Sequence, residues 1–521
     1  DRALDHALAQ LDHVVQRRRI AGLVDIGPAP VGVSESGRGL FRRQVDVDAG
    51  GGEDMAMGHA ELRTDGLQAV ADRRHAALGQ QRGQEGRGRQ RAVVAVVGVG
   101  DVDDLVHVGR HAPRGLAQRI QDEMMQAATC AVGYNSIRFD DVVTRNLFYR
   151  NLRDPYAREY KNGNSRWDLI DLARMCYALR PDGIAWPEHE PGVPSFRLED
   201  LTAANGIEHG DAHDALADVR ATIALARLLR DKQPRLYDWA LGMRDQKNVQ
   251  RMLDPTEPQP ILHTSARIPA ARGCTTLVLP LAVPKDRPKG IIVFDLSADP
   301  EALLAEPADA IFDRVFTPAA DMPEDVERIP LKMLQSNHVP MIAPLGTLKG
   351  VDTARIGLDP DRCRRNATRI LRHLPAVRNK VMEVFTHAHA GSDGSTDPDR
   401  MLYSGGFIQP ADRHLLNKIL AIAPKDLGRH LWSFQDERLQ LMLFRYRARN
   451  FPNTLNEEER RMWDRDRRAR LVETEDPAYF TLRDFERTLA DLREARSGDP
   501  EALEILDRIE AWPLNCGISD L

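Results

Sequence analysis

The spacing of apolar residues along the chain predicts a series of short strands and amphipathic helices. A β-branched run at 92–99, AVVAVVGV, predicts a buried strand. CAVGY at 130–134 predicts another short strand, followed by a turn and a helix. The apolar residues of that helix are Val142, Val143, Leu147 and Phe148.

Two further helices are predicted before residue 230. In SRWDLIDLARMCYALRP, residues 165–181, apolar residues recur at helical spacing, so we expect a helix that Ser165 caps and Pro181 ends. The next helix is predicted over 214–229. Its apolar face consists of Leu216, Val219 and Ile223.

Between about residues 258 and 350 the pattern becomes typical of β-strands. TTLVLPLAVP at 275–284 and KGIIVFDLSADP at 289–300 are β-branched runs bounded by Pro and Gly, which predicts a small barrel or sheet domain. Past residue 359 the helical periods return, and Thr454 and Glu457 have the spacing of a capping box.

The first part of the chain differs in composition from the rest. Residues 1–133 contain no Lys, Asn, Tyr or Trp, and Phe41 is their one phenylalanine. Because aromatic side chains bury the largest areas, this part can bury little surface per residue. Gly98 and Gly100 resemble a dinucleotide-binding loop only faintly, since the full glycine fingerprint is missing. We therefore expect residues 1–114 to be an anomalous, low-aromatic segment.

The overall composition indicates a soluble globular protein of roughly three domains. Hydrophobic residues make up 42% and charged residues 29% of the 521 residues, and the net charge is −6. This slight acidity argues against indiscriminate binding of nucleic acid but is compatible with a local basic groove. Five cysteines, widely spaced, fit neither a disulfide scaffold nor a zinc knuckle and favour a reducing compartment. Neither a membrane-length apolar run nor a signal segment is recognisable, so a cytoplasmic location is expected.

The segment HGDAHDALAD, residues 209–218, concentrates histidine and aspartate at the start of a helix. His213 and Asp218 are five residues apart and would lie on different faces of one helix. We therefore expect His213 in the loop before the helix and Asp218 one turn inside it. Asp214 is the expected cap, and His209 receives no role from the sequence.

A second acidic segment, RFDD at 138–141, follows the strand predicted at 130–134. Mg²⁺ prefers oxygen ligands, and metal-dependent cleavage of a phosphodiester needs several carboxylates and a base such as histidine. Either segment alone is more often a helix cap or a structural histidine. The residues by themselves leave both interpretations open.

Read together and in order, these segments resemble a known family of nucleases. GYNSIRFDD, SFRLEDL and HDALAD resemble the second and third motifs of the DEDDh 3′–5′ exonucleases, whose last motif is His-x-Ala-x-x-Asp. Longer stretches, such as NSRWDLIDLARMCYALRPDGIAWPE and FRYRARNFPNTLNEEERRMW, are similar to the bacterial exodeoxyribonuclease I family. The resemblance runs from about residue 115 to near the C-terminus.

The resemblance implies an α/β, or α+β multidomain, fold. A ribonuclease-H-like exonuclease domain, an SH3-like β domain and a helical C-terminal domain would close into a C-shaped channel for single-stranded DNA. The expected boundaries are 1–114 for the anomalous segment, 115–234 for a partial exonuclease domain, 235–358 for the SH3-like domain and 359–521 for the helical domain.

The same resemblance implies an activity, a cofactor and a partner. These are Mg²⁺-dependent, processive release of nucleotides from 3′ ends of single-stranded DNA in repair and recombination, performed by a monomer. The implied partner is the acidic C-terminal tail of single-stranded-DNA-binding protein.

Individual residues match positions with family roles. Asp140 and Asp218 match metal-site carboxylates, and His213 matches the general base. Arg180 matches a basic contact for the tail of the partner. The positions that match contacts to DNA are Arg145, Tyr156, Tyr160, Arg174, Phe196 and Arg197. Arginines suit phosphates and aromatic rings suit unstacked bases, although core packing is the alternative for Tyr156 and Phe196.

One departure from the family is large, because no Asp-x-Glu motif precedes Asp140. In the family this motif lies on the first strand, where alternation would place both carboxylates on one face. The nearest substitutes are Asp46-Val-Asp48 and Asp101-Val-Asp103. One hypothesis is that residues 1–114 are translated from a shifted or opposite reading frame, derive from an unrelated fusion, or are disordered. The alternative function is that of a catalytically inactive remnant that binds single-stranded DNA or the partner's tail.

Overall fold

In the computed structural model, the described residues before 113 are three strands at 41–47, 60–62 and 90–96. The other described ranges are 113–209, 215–318, 321–323, 326–387, 395–511 and 513. Among the helices of these ranges, none has both the length and the apolar character needed to cross a membrane.

A five-stranded sheet is the base of the first domain. Its strands are β1 (Phe41–Val47), β2 (Ala60–Leu62), β3 (Gln90–Val96), β4 (Thr129–Gly133) and β5 (Ser165–Asp168), in the order β2-β1-β3-β4-β5. β3, β4 and β5 are parallel, whereas β1 is antiparallel to β2 and β3. The carboxyl ends of the three parallel strands therefore meet at one edge, where sites in such sheets usually form. The strands expected at 92–99 and 130–134 correspond to β3 and β4.

Helices follow these parallel strands and pack around the sheet. The helices described in this domain are α1 (Pro113–Met124), α2 (Asp140–Arg150), α3 (Ala157–Tyr160), α4 (Leu169–Leu179), α5 (Leu198–Ala204) and α6 (Ala215–Lys232). A short pair, β6 (Glu188–Glu190) and β7 (Val193–Pro194), lies between α4 and α5. Helix α6 contacts α4 and α5 and buries Val219 and Ile223, as its periodicity predicted.

The start of α4 differs from the expectation. Ser165 is not its cap but the first residue of β5, which pairs with β4. Asp168 is the N-cap instead, and its carboxylate accepts a hydrogen bond from the Ile170 amide at 3.1 Å. Burial of Trp167 explains the difference, since this short strand places its largest side chain in the core.

The buried face of α2 also differs from the expectation. Val142 and Val143 are exposed, whereas Phe148 is buried as predicted. The inner face instead carries Asp141 and Arg145, whose charges are paired inside the protein. A periodicity that counts apolar residues alone cannot identify such a face, because buried charges become acceptable only with partners.

The second domain is built on an antiparallel sheet. Its strands are β8 (Ile261–Thr264), β9 (Thr275–Ala282), β10 (Gly290–Asp295), β11 (Leu331–Gln335) and β12 (Met341–Pro344), in the order β11-β10-β9-β8-β12. Both faces are covered, because Leu277 and Leu279 of β9 join one core and Val278 joins another. This explains the continuous apolar run in the sequence, since a strand buried on both faces does not alternate.

Helices surround this second sheet. They are α7 (Pro234–Gly242), α8 (Gln246–Met252), α9 (Glu301–Ala305), α10 (Ala308–Phe316), α11 (Pro360–Arg372) and α12 (Leu374–His387). Both α11 and α12 contact β9, and α12 also contacts α10.

The third domain is helical. The helices described in it are α13 (Pro410–Ala421), α14 (Arg438–Asn450), α15 (Glu457–Arg468), α16 (Leu482–Ala495) and α17 (Pro500–Glu510). The expected capping box is present two residues later than predicted. Asn456 accepts from the Glu459 amide at 2.9 Å, and Glu459 accepts from the Asn456 amide at 3.0 Å. Thr454 instead belongs to a separate 3₁₀ turn.

The first domain is hydrogen-bonded to both others. The Tyr149 hydroxyl donates to the Pro398 carbonyl of the helical domain at 2.9 Å. The Arg166 guanidinium donates to the Asn337 carbonyl of the second domain at 3.3 Å. The third domain is therefore hydrogen-bonded to α2 of the first domain, and the second domain to β5.

Candidate active site

The turn between β4 and α2 places the RFDD segment at the carboxyl edge of the first sheet. Asp168, at the end of the neighbouring strand, accepts from the Asn135 amide at 2.8 Å and from the Ile137 amide at 3.1 Å. Asn135 has a φ of +60°, a left-handed conformation that asparagine tolerates better than most residues. Burial raises the pKa of Asp168 to about 6. The carboxylate of Asp168 thus ties the turn to β5 and fixes where α2 begins.

Asp140 is the first residue of α2, and its side chain is partly buried. Within the described part of the chain, it makes no ion pair. Burial, followed by the neighbouring carboxylate of Asp141, raises the pKa of Asp140 to about 7. A buried carboxylate in this state gains from any cation that reaches it, because an opposite charge favours the ionised form.

Asp141 has the opposite environment. Its two oxygens each lie 2.5 Å from an arginine nitrogen, one of Arg158 and one of Arg166. Burial alone would raise the pKa of Asp141, but these two arginines hold it below its usual value. Glu159 extends this cluster by pairing with Arg145 at 2.7 Å. Of the two adjacent aspartates, Asp141 is therefore engaged in structure, whereas Asp140 makes no ion pair with the described residues.

Asp218 lies in the first turn of α6, as expected from the sequence. Its Oδ1 is 2.9 Å from Nε2 of His209, and Nδ1 of His209 is 3.0 Å from the Thr202 hydroxyl. No role was expected for His209, because these contacts join residues of α5 and α6 that only the folded chain brings together. His213 lies outside the described residues.

The carboxylates of Asp140 and Asp218 have the donor chemistry of a hard divalent cation, since Mg²⁺ is bound through carboxylate oxygens. The partly buried carboxylate of Asp140, which makes no ion pair with the described residues, fits such a cation. Within the residues that the structure describes, however, no three His, Cys, Asp or Glu side chains converge on one point. Asp140 and Asp218 thus remain candidate ligands, and the described residues do not form a complete metal site around them.

The strand beside β4 supplies no carboxylate that could take the place of the Asp-x-Glu motif. β3 is the parallel neighbour of β4, and its sequence QRAVVAV contains no acidic residue. Asp46 lies on β1, which is antiparallel to β3 and one strand further from β4. Asp101 and Asp103 lie outside the described residues.

Three of the residues expected to contact DNA lie together near the third domain. The Arg145 guanidinium is 5.3 Å from the ring centroid of Tyr156, which is half-buried. Tyr160 is 59% exposed. The sequence missed Phe407, which is 84% exposed and whose ring lies 6.4 Å from that of Tyr156. This pair of rings, from two domains, could stack with unpaired bases.

The other three expected DNA contacts lie near the N-terminus of α5. Phe196 is only 8% exposed and packs edge-on against Tyr177 and Trp186, which agrees with the core-packing alternative. Arg174 lies 5.6 Å from the Phe196 ring centroid. Arg197 is exposed, so its guanidinium can reach a phosphate.

Arg180 follows α4 and lies at its carboxyl end. Its guanidinium donates to the Leu179 carbonyl at 2.5 Å and to the Thr347 carbonyl of the second domain at 3.0 Å. Arg355 also reaches this helix end and donates to the Ala178 carbonyl at 3.0 Å. The sequence could not pair these two arginines, because they are far apart in the chain. Both guanidinium groups therefore lie at the carboxyl end of α4.

Family models match three successive parts of the chain. An exonuclease model matches residues 110–226, an exonuclease I SH3-like domain model matches residues 244–387, and an exonuclease I C-terminal domain model matches residues 396–516. These matches confirm the expected exonuclease, SH3-like and helical regions. The residues before 110 lie outside all three.

Relatives of established name cover most of the chain. Exodeoxyribonuclease I of Escherichia coli (strain K12) is 43% identical over 352 residues, which are 68% of this chain and 73% of that protein. Exodeoxyribonuclease I of Haemophilus influenzae is 39% identical over 394 residues, which are 75% of this chain and 81% of that protein.

Solved structures of E. coli exonuclease I have the same fold. A complex with a dA16 oligonucleotide gives a TM-score of 0.72 at 37% identity, covering 82% of this chain and 92% of that one. A complex with SSB-Ct gives a TM-score of 0.71 at 38% identity. A zinc-bound complex with single-stranded DNA gives a TM-score of 0.71 at 39% identity. Each of the latter two covers 78% of this chain and 84% of the other.

Proposed function

This chain belongs to the exodeoxyribonuclease I family of nucleases, and we propose that it removes nucleotides from the 3′ end of single-stranded DNA. The observation that carries the proposal is Asp140. Its side chain is partly buried and makes no ion pair with the residues that the structure describes, and two arginines neutralise the neighbouring Asp141. The relatives that bind single-stranded oligonucleotides support the choice of substrate.

Asp140 and Asp218 would hold Mg²⁺, and His213 would act as the general base. A bound divalent cation lowers the pKa of a water molecule and stabilises the leaving oxygen of the phosphodiester. In this scheme His213 takes the proton from the attacking water. The paired Asp141 keeps the start of α2 in place, and His209 contacts Asp218 from the side of α5.

The strand would be held by arginines at its phosphates and by aromatic rings at its bases. Arg174 and Arg197 would contact phosphates near Phe196, and Tyr156 and Tyr160 would contact bases near Arg145. Stacking on aromatic faces tolerates any base, which suits an enzyme that must move along an arbitrary sequence.

Arg180 would bind the acidic tail of single-stranded-DNA-binding protein. The supporting observations are its location at the same helix end as Arg355 and the similarity of this chain to the solved ExoI/SSB-Ct complex. Such a partner would bring the enzyme to exposed single strands of DNA. We therefore propose that the protein works as a cytoplasmic monomer in DNA repair and recombination.

The direct test is digestion of a 5′-labelled single strand by the full chain with Mg²⁺. We expect shortening from the 3′ end that EDTA abolishes and that Asp140→Asn removes. Val142→Ala is the matched control, since Val142 is an exposed residue on the same helix. If the chain retards the strand at low salt but releases no nucleotide, the inactive binding protein is the correct interpretation.

The origin of residues 1–114 has its own test. Resequencing the gene across the codons for residues 100–130 should reveal a frame change if this segment is a translation from another frame. An intact single frame in several independent clones would contradict that hypothesis.

A further inference from the structure

His209 lies between α5 and α6 and uses both of its ring nitrogens. Nε2 is 2.9 Å from Oδ1 of Asp218, and Nδ1 is 3.0 Å from the Thr202 hydroxyl. The His209 side chain is 8% exposed, and Thr202 is fully buried in α5. The imidazole therefore has a fixed orientation, because the buried Thr202 of α5 contacts the ring nitrogen opposite to the one that contacts Asp218.

The direction of the hydrogen bond to Asp218 does not depend on the charge of the ring. A proton on Nε2 donates to the Asp218 carboxylate, whereas the donor at Nδ1 depends on the tautomer, because the Thr202 hydroxyl also lies 2.8 Å from the Leu198 carbonyl and 3.0 Å from the Glu199 carbonyl. A doubly protonated imidazole also donates from Nε2. Because both nitrogens are engaged, His209 has no free nitrogen with which to accept a proton from water.

The contact occupies only one oxygen of the Asp218 carboxylate. Within the described residues, Oδ2 has no hydrogen-bond partner, and the side chain is 29% exposed. Carboxylates that ligate metals are commonly oriented by such a second hydrogen bond, which fixes the remaining oxygen for the metal.

We propose that His209 is a positioning residue, which together with Thr202 orients Asp218 so that Oδ2 is presented to a divalent cation. This inference rests on the proposed function, in which Asp218 is a metal ligand. It assigns a role to the first histidine of HGDAHDALAD that is distinct from the role of His213 as a base.

The hydrogen bond itself can be tested without metal or DNA. In the full chain labelled with ¹⁵N-histidine, Asp218→Asn should shift the Nε2 resonance of His209, and Thr202→Val should shift its Nδ1 resonance. His263→Gln is the matched control and should leave the His209 resonances unchanged. His263 is also buried, but it contacts the Met341 carbonyl of the second domain. If the His209 resonances do not respond to Asp218→Asn, the proposal is overturned.

The effect on the metal site is measured by Mn²⁺ binding, followed by electron paramagnetic resonance. We expect His209→Leu to weaken Mn²⁺ affinity roughly 10- to 100-fold, the range for residues that orient metal ligands. His209→Gln should restore much of the affinity, because its side-chain amide can still donate to Asp218. His263→Gln should leave Mn²⁺ affinity unchanged.

The outcomes separate this proposal from the proposed function. The positioning role would be overturned if His209→Leu bound Mn²⁺ with wild-type affinity. It would also be overturned if the Leu and Gln variants lost Mn²⁺ affinity equally, or if the wild type bound no Mn²⁺. If the resonance and affinity shifts occur but the wild type releases no nucleotide, the positioning role stands and the nuclease proposal fails.

Discussion

Replacing Asp140 by asparagine is expected to stabilise the metal-free chain at neutral pH. Burial and the neighbouring Asp141 raise the pKa of Asp140 to about 7, from an ordinary value of 3.8. A change of this size corresponds to roughly 4 kcal/mol between the two protonation states. Because the folded state holds its proton more tightly than the unfolded state, stability is lost as the pH rises from about 4 to about 7.

The asparagine variant lacks this titration, so its advantage over the wild type should grow with pH. Between pH 5 and pH 8 we expect the difference in the free energy of unfolding to increase by about 2–3 kcal/mol. Urea denaturation in EDTA, followed by tryptophan fluorescence, measures it. Nuclease activity should be lost in the same variant, so stability and activity change in opposite directions.

The neighbouring aspartate is the internal control. Asp141→Asn leaves Arg158 and Arg166 without their shared carboxylate in the protein interior, which should destabilise the chain by roughly 3–5 kcal/mol. Two adjacent substitutions of the same type are thus expected to have opposite signs. A stability difference for Asp140→Asn that does not vary with pH, or that is negative at pH 8, would refute the argument.

Three further substitutions test the packing of the other domains. Arg445→Leu leaves Asp397 buried without its ion pair and should cost roughly 3–5 kcal/mol in urea denaturation. Gly273→Ala should cost roughly 1–3 kcal/mol, because φ is +57° and a Cβ would lie 2.7 Å from Ile356; an unchanged melting temperature would contradict this. Asn456→Ala removes the capping box of α15 and should cost about 1 kcal/mol, which the helical signal in circular dichroism would show as earlier melting of the third domain.

The sequence predicted the order of elements well because local rules decide them. The strand at 130–134 and the helix over 214–229 follow from apolar periodicity, and the structure has them within a few residues. Its errors were also local: Ser165 and Thr454 are good capping residues, but the strand β5 and a 3₁₀ turn occupy their positions. Helix-capping propensity alone cannot choose between two nearby candidate N-cap residues when tertiary pairing decides where the helix begins.

The sequence by itself determined the family, the three-part organisation and the acidic motifs that carry the proposed chemistry. Only the tertiary structure decided which aspartate of RFDD is paired, because the arginines that neutralise Asp141 lie 17 and 25 residues further along the chain. It also gave His209 a partner in Asp218 of α6, nine residues further along the chain. The physical reason is the same in both cases. The charge state and orientation of a carboxylate depend on burial and on neighbours in space, and neither of these is encoded in local spacing.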